Sequence, residues 1–216
     1  MSVNNKSFEE RSIDIIRSEK EKKFLVEKYS SGENDGVFIT PLTLDAVNDD
    51  LIADLARWRS ENQDGFIKIF NVTFESTRKW LELAVQNRSD RLLFLVYDCH
   101  EKLIGHLGVS SFDFTNKTCE VDNVVRGNVS KQKRVMSSAS KALIDWIWLK
   151  IKPESIRLKV LNDNSKALAL YYKLGFKLDL LEPLEKIESG DVIEWIPAEN
   201  SKIDRFFINM FLRGMQ

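Results

Sequence analysis

Two carboxylates and a cluster of cations stand close together in the middle of this 216-residue chain. In CEVDNVVRG, Glu120 and Asp122 are two residues apart. A strand has a side-chain period of two, so both lie on one face, Arg126 lies further along, and Asn123 projects to the other face. Lys131, Lys133 and Arg134 follow, and VMSSASKAL then takes up the apolar spacing of a helix. The first amides of a helix lack internal partners and sit at the positive end of its dipole, so cations beside them make a site for phosphate or pyrophosphate. A wetted loop between strand and helix is the plainer account of the same residues.

The elements that must position these groups can be read on either side. Residues 7–29 are charge-rich with Ile13, Ile16, Phe24 and Leu25 at helical intervals, and SSGENDG at 30–36 breaks the pattern before the main domain. A strand is expected at 37–42, with Pro41 at its edge or end, and a helix at 51–59. Residues 66–70 read as a short strand or an apolar loop, and Thr73 as the N-cap of a second helix, with Ser76 loosely completing a capping box. From 92 the period changes: 92–97, 103–114 and 119–126 form an antiparallel meander. A helix over 135–150, ended by Pro153, leads to a strand at 156–161, and this right-handed crossover makes a parallel pair. Asn164 or Ser165 caps a short helix that Gly175 terminates, and 176–181 pairs with 191–196 around Glu188, Ser189 and Gly190. The tail at 201–213 places Ile203, Phe206, Phe207, Met210 and Phe211 on one stripe, which predicts a docked helix.

Hydrophobic residues at 43% and charged residues at 30% describe an ordinary globular chain, and its length suits one domain with extensions. The formal net charge of -1 gives no general attraction to nucleic acid or to an anionic membrane, so any basic site is local. The longest apolar run, 92–97, is too short to span a bilayer, and the polar start MSVNNKSFEERS has no signal-peptide pattern. Two cysteines, Cys99 and Cys119, fit a reducing compartment, so a cytoplasmic location is expected. Cys99 and His100 lack the paired spacing of a metal site, and no serine stands in a nucleophile elbow.

The order of elements, closed by LNDNSKALALYYKLGFK, resembles the GCN5-related N-acetyltransferase superfamily. Asn164, Ala167, Tyr171, Gly175 and Phe176 stand at the places of that family's N-x-x-A-x-x-x-Y-x-x-x-G-F segment. The resemblance covers about 37–197. It implies an α+β (α/β/α) fold with a mixed central sheet, an antiparallel meander and a splayed parallel strand pair. The division expected is a helical extension over 1–35, an acyltransferase domain over 36–198 and a docked C-terminal helix over 199–216. One departure is plain. The family's acyl-CoA turn reads Q/R-x-x-G-x-G/A, whereas here Gln132 to Ala139 puts Arg134 or Met136 at a glycine position. Ser137, Ser138 and Ala139 keep room at the helix start, and the lysines offset weaker amide contacts.

The resemblance implies transfer of an acyl group from acetyl-CoA to an amine, without a metal. It makes Tyr171 the acid that protonates the departing thiolate and Asp122 or Glu120 the base for the amine, with ion pairing to Arg126 as the plainer role for either carboxylate. Acetyl-CoA would be held by Val124, Val125, Arg126, Lys131, Lys133, Arg134, Val135, Met136, Ser137, Ser138, Asn164, Ala167 and Tyr171. Arg59, His106 and Asn123 are the acceptor-side candidates, with Arg59 meeting an acidic part of the acceptor. Trp58-Arg59, VTFESTRKWL and the MSSA element look most like aminosugar N-acetyltransferases acting on nucleotide-linked sugars in surface-polysaccharide synthesis. Acetylation of a protein N-terminus or ribosomal protein is the alternative, and a non-catalytic binding module of the same fold is another. The partners implied are a small-molecule amine, neither nucleic acid nor membrane, with a homodimer left open.

Overall fold

The computed structural model describes residues 6–22, 27–32, 35–199 and 202–214. The chain order is α1 (Phe8–Glu21), β1 (Phe38–Pro41), α2 (Asp49–Glu61), β2 (Lys68–Ile69), α3 (Phe74–Trp80), β3 (Leu92–Tyr97), β4 (Leu103–Asp113) and β5 (Thr118–Arg126). It continues with α4 (Val135–Trp146), β6 (Ser155–Leu161), α5 (Ser165–Lys173), β7 (Lys177–Ser189), β8 (Val192–Pro197) and β9 (Arg205–Arg213). Ser7 with Glu10, and Thr73 with Ser76, form capping boxes that start α1 and α3. Phe24 and Leu25 lie outside the described residues. Among the described residues no helix is long and apolar enough to cross a membrane.

All the strands join one sheet in the order β1-β3-β4-β5-β6-β9-β7-β8-β2. Its two faces can be read directly from the period of two in LLFLVY. Leu92, Phe94 and Val96 point into a core shared with Phe8 and Ile16 of α1, Ala139 and Leu143 of α4, and Tyr171 of α5. Leu93 and Leu95 point the other way, against Leu51, Ile52, Leu55 and Trp58 of α2. The result is a helix, sheet, helix sandwich in which α1 is part of the main core.

One junction in this sheet is parallel among the described residues. β5 and β6 pair only at Thr118↔Ser155, Cys119↔Ile156 and Glu120↔Arg157, and beyond these the ladder stops. The rest of β5, from Val121 onward, therefore lacks a partner on that side, and a cleft opens there. β6 itself is paired along its whole length on its other edge, from Ser155↔Arg213 to Leu161↔Phe207.

That partner is β9, and here the structure corrects the sequence. The tail expected to dock as a helix is a strand between β6 and β7. The same apolar residues fit both periods, since RFFINMFLR also alternates. Phe206, Ile208, Met210 and Leu212 take one face while Phe207, Asn209 and Phe211 take the other. Aromatic and β-branched residues favour the pleated form, and two open strand edges offered backbone partners that a surface helix would leave unused. β7 likewise runs longer than expected, pairing β9 with its first half and β8 with its second.

Candidate active site

The cleft left by the divergence of β5 and β6 has a volume of about 520 Å³. Its lining includes Glu120, Asp122, Asn123, Val124 and Val125 of β5, Lys159 of β6, and Asn164, Ala167 and Tyr171 at α5. The connection between α2 and β2, from Asp64 to Ile67, covers another side of it.

Asp122 is held by neighbours that the strand register delivers. Its Oδ2 accepts from Arg91 Nη2 at 2.8 Å and from Ser110 Oγ at 2.7 Å. The cation that pairs with this carboxylate is thus Arg91 rather than Arg126. Asp122 Oδ1 is buried and has no hydrogen-bond partner among the described residues. Gly108 stands across the ladder, and a Cβ there would lie 2.8 Å from that oxygen, so the glycine keeps the space open. Glu120 is also half-buried, and burial raises its pKa, an effect that Lys159 opposes and the charge of Asp122 reinforces. A base whose pKa is lifted towards neutrality is better matched to taking a proton from an amine.

Tyr171 lies on the α5 side of the cleft, 8% exposed, with its ring edge-on to Phe176. Burial pushes its phenol up from the ordinary value, and the negative charge of Asp122 adds to the rise. The hydroxyl therefore stays protonated at any ordinary pH, as a proton donor must. Asn164 caps α5 through its Oδ1, which accepts the Ala167 amide at 3.2 Å. That cap sets the start of the helix from which Tyr171 projects, two turns on.

Between these groups β5 carries a bulge. His106 pairs with Val125 and Gly108 with Asp122, so Asn123 and Val124 together face the single Leu107. Asn123 has φ 49°, a left-handed conformation that asparagine tolerates. The irregularity re-aims the strand backbone at the cleft wall, which Val124 and Val125, expected to hold acetyl-CoA, both line.

The cationic turn ends in a second irregularity. Arg134 is the N-cap residue of α4 with φ 65° and ψ 13°, and its side chain makes no cap hydrogen bond. It takes the conformation that glycine adopts without strain, so the missing glycine is replaced in geometry though not in residue type. Ser138 is the first residue whose amide reaches an Arg134 carbonyl, which leaves the amides of Val135, Met136 and Ser137 at the open end of the helix. Successive amides beside a left-handed residue make a concave anion site. Among the described residues Lys131, Lys133 and Arg134 have no ion-pair partner. A second groove of about 790 Å³ runs from Arg134 and Ser137 past Lys141 to Trp148, Lys173 and Arg213.

Two acceptor-side candidates sit differently from Asn123. His106 is fully buried, stacked on Trp58 at 6.1 Å, and burial drives its pKa down to about 4, so it is neutral and packed rather than placed on the cleft wall. Arg59 lies with its guanidinium 3.7 Å over the Phe66 ring and donates from Nη2 to the Lys68 carbonyl at 2.5 Å. Its Nη1 is buried without a partner among the described residues, and burial lowers its pKa to about 10. Arg126 is exposed beyond the cleft lining. Arg91, Ser110 and Gly108 were missed from sequence. The only signal was the ladder register, which spacing alone does not give.

The family described as Acetyltransferase (GNAT) domain matches residues 41–177. A comparison with curated proteins finds no match. Among solved structures, the Salmonella typhimurium acetyltransferase that modifies the N-terminal serine of a ribosomal protein is 13% identical, with TM-score 0.63 over 88% of this chain and 100% of that one. Spermidine N-acetyltransferase from Vibrio cholerae, in complex with CoA and spermine, is 15% identical, with TM-score 0.59 over 83% of this chain and 96% of that one. The Campylobacter jejuni N-acetyltransferase PseH is 18% identical, with TM-score 0.53 over 83% of this chain and 99% of that one. At these identities the likeness is one of fold.

Proposed function

Because this chain belongs to the family of GNAT acetyltransferase domains, acyl-CoA-dependent N-acetyltransferases, we propose that it acetylates the primary amine of a nucleotide-linked aminosugar from acetyl-CoA. The observation that carries the reading is that Asp122 and the buried Tyr171 line the same β5–β6 cleft. One carboxylate oxygen is fixed by Arg91 and Ser110, the other has no hydrogen-bond partner among the described residues, and the charge of Asp122 adds to the rise that burial gives the phenol's pKa. In this reading Asp122, with Glu120 beside it, takes the proton from the attacking amine. Backbone amides after the Asn123 bulge polarise the thioester carbonyl, and Tyr171 protonates the departing thiolate. Acetyl-CoA supplies the activated acyl group. Lys131, Lys133 and the Arg134 turn hold its pyrophosphate, and the groove beside α4 receives its nucleotide end.

The acceptor assignment draws on Arg59. A half-buried guanidinium whose Nη1 has no hydrogen-bond partner among the described residues gains if an anion completes it, and the phosphates of a nucleotide-linked sugar would do so. The test is release of CoA thiol over UDP- and dTDP-linked aminosugars and over N-terminal peptides. Turnover with the sugars is expected, and turnover with peptides alone would replace the sugar by a protein N-terminus.

A further inference from the structure

The left-handed Arg134 has to be held in place, since a strained backbone conformation persists only where its surroundings over-determine it. On both sides of Arg134 the holding group is the same residue, Asp35, which precedes β1. Gln132, two residues before, donates from Nε2 to the Asp35 carbonyl at 2.7 Å, while its Oε1 accepts the Cys99 amide at 2.9 Å. Ser138, four residues after, donates from Oγ to Asp35 Oδ2 at 2.5 Å and is 4% exposed. The remaining carboxylate oxygen, Oδ1, accepts the Val37 amide at 3.0 Å.

This bracket has little freedom of its own. Gly36 has φ 73°, and a Cβ there would lie 2.8 Å from the Cys99 Cβ, so the chain after Asp35 is pressed against the turn between β3 and β4. Asp35 also acts from behind the turn. Ser138 is buried and bonded to it, whereas Arg134 and Ser137 line the groove.

We infer that Asp35 is a positioning residue for acyl-CoA: through Gln132 and Ser138 it holds the left-handed turn that presents the amides of Val135, Met136 and Ser137 to the pyrophosphate. This rests on the reading of that turn as the acyl-CoA cradle. It explains how the cradle dispenses with glycine, because tertiary hydrogen bonds impose the conformation that glycine would adopt freely. It also makes the segment before β1, outside the matched family region of 41–177, a working part of the donor site.

The test uses the full chain, with acetyl-CoA titrated calorimetrically and in steady-state turnover. Asp35→Ala, which keeps the carbonyl on Gln132 but removes the carboxylate that holds Ser138 and the Val37 amide, should raise KM and Kd for acetyl-CoA by about ten-fold while leaving kcat and the amine KM within about two-fold. Asp35→Asn, which still accepts a hydrogen bond, should recover most of the loss. Plain electrostatics predicts the opposite sign, since deleting a carboxylate near an anion site would tighten binding in both variants. Tighter or unchanged binding in Asp35→Ala overturns the inference, as does an equal fall in kcat and in affinity for both substrates. Absence of acetyl-CoA binding by the wild-type chain would instead overturn the cradle itself.

Discussion

At the scale of single residues, the proposed mechanism divides labour within one carboxylate. Asp122 Oδ2 is committed to Arg91 and Ser110, which fixes the side chain, and Oδ1 is buried without a hydrogen-bond partner among the described residues. Tyr171 is the complementary group, a phenol kept protonated by burial and by that same negative charge. Tyr171→Phe should lower kcat more than ten-fold, at about 1.4 kcal/mol per decade, with little change in KM. Because the folded phenol titrates above its ordinary value, wild-type turnover should not fall through phenol ionisation below about pH 10. An unchanged kcat in the variant would assign the proton to water. Tyr171 was legible because its place in the segment from Asn164 to Phe176 carries it. The state of Asp122 was not, because Arg91 stands 31 residues away and meets it only through the ladder.

At the scale of elements, the cleft exists because β5 leaves β6 after three pairs while β9 holds β6 on its far edge. The meander, the crossover and the capped α5 were legible from period and caps. β9 was not, since its apolar residues satisfy a helical stripe and an alternating strand alike, and only the open edges of β6 and β7 decide between them. Met210 tests this placement. It is 1% exposed, pairing with Leu158 on one side and Leu178 on the other. Met210→Ala should destabilise the chain by about 2–5 kcal/mol in denaturant unfolding, as for a core residue. A change within about 0.5 kcal/mol would describe a surface segment instead.

At the scale of the molecule, a net charge of -1 leaves no general field to draw in an anionic donor. In the proposed account recognition comes from the local cluster of Lys131, Lys133 and Arg134 at the mouth of α4, where the helix amides are open. This predicts a donor affinity that is specific and sensitive to salt, since exposed charges are screened within about 8 Å at physiological ionic strength. The central claim, that the chain is an acyl-CoA enzyme built on this cradle, is tested most directly by calorimetric titration with acetyl-CoA at low and high salt. The account predicts one molecule bound per chain, with affinity that weakens as salt rises. No binding, or binding indifferent to salt and to alanine at those three cations, would contradict it.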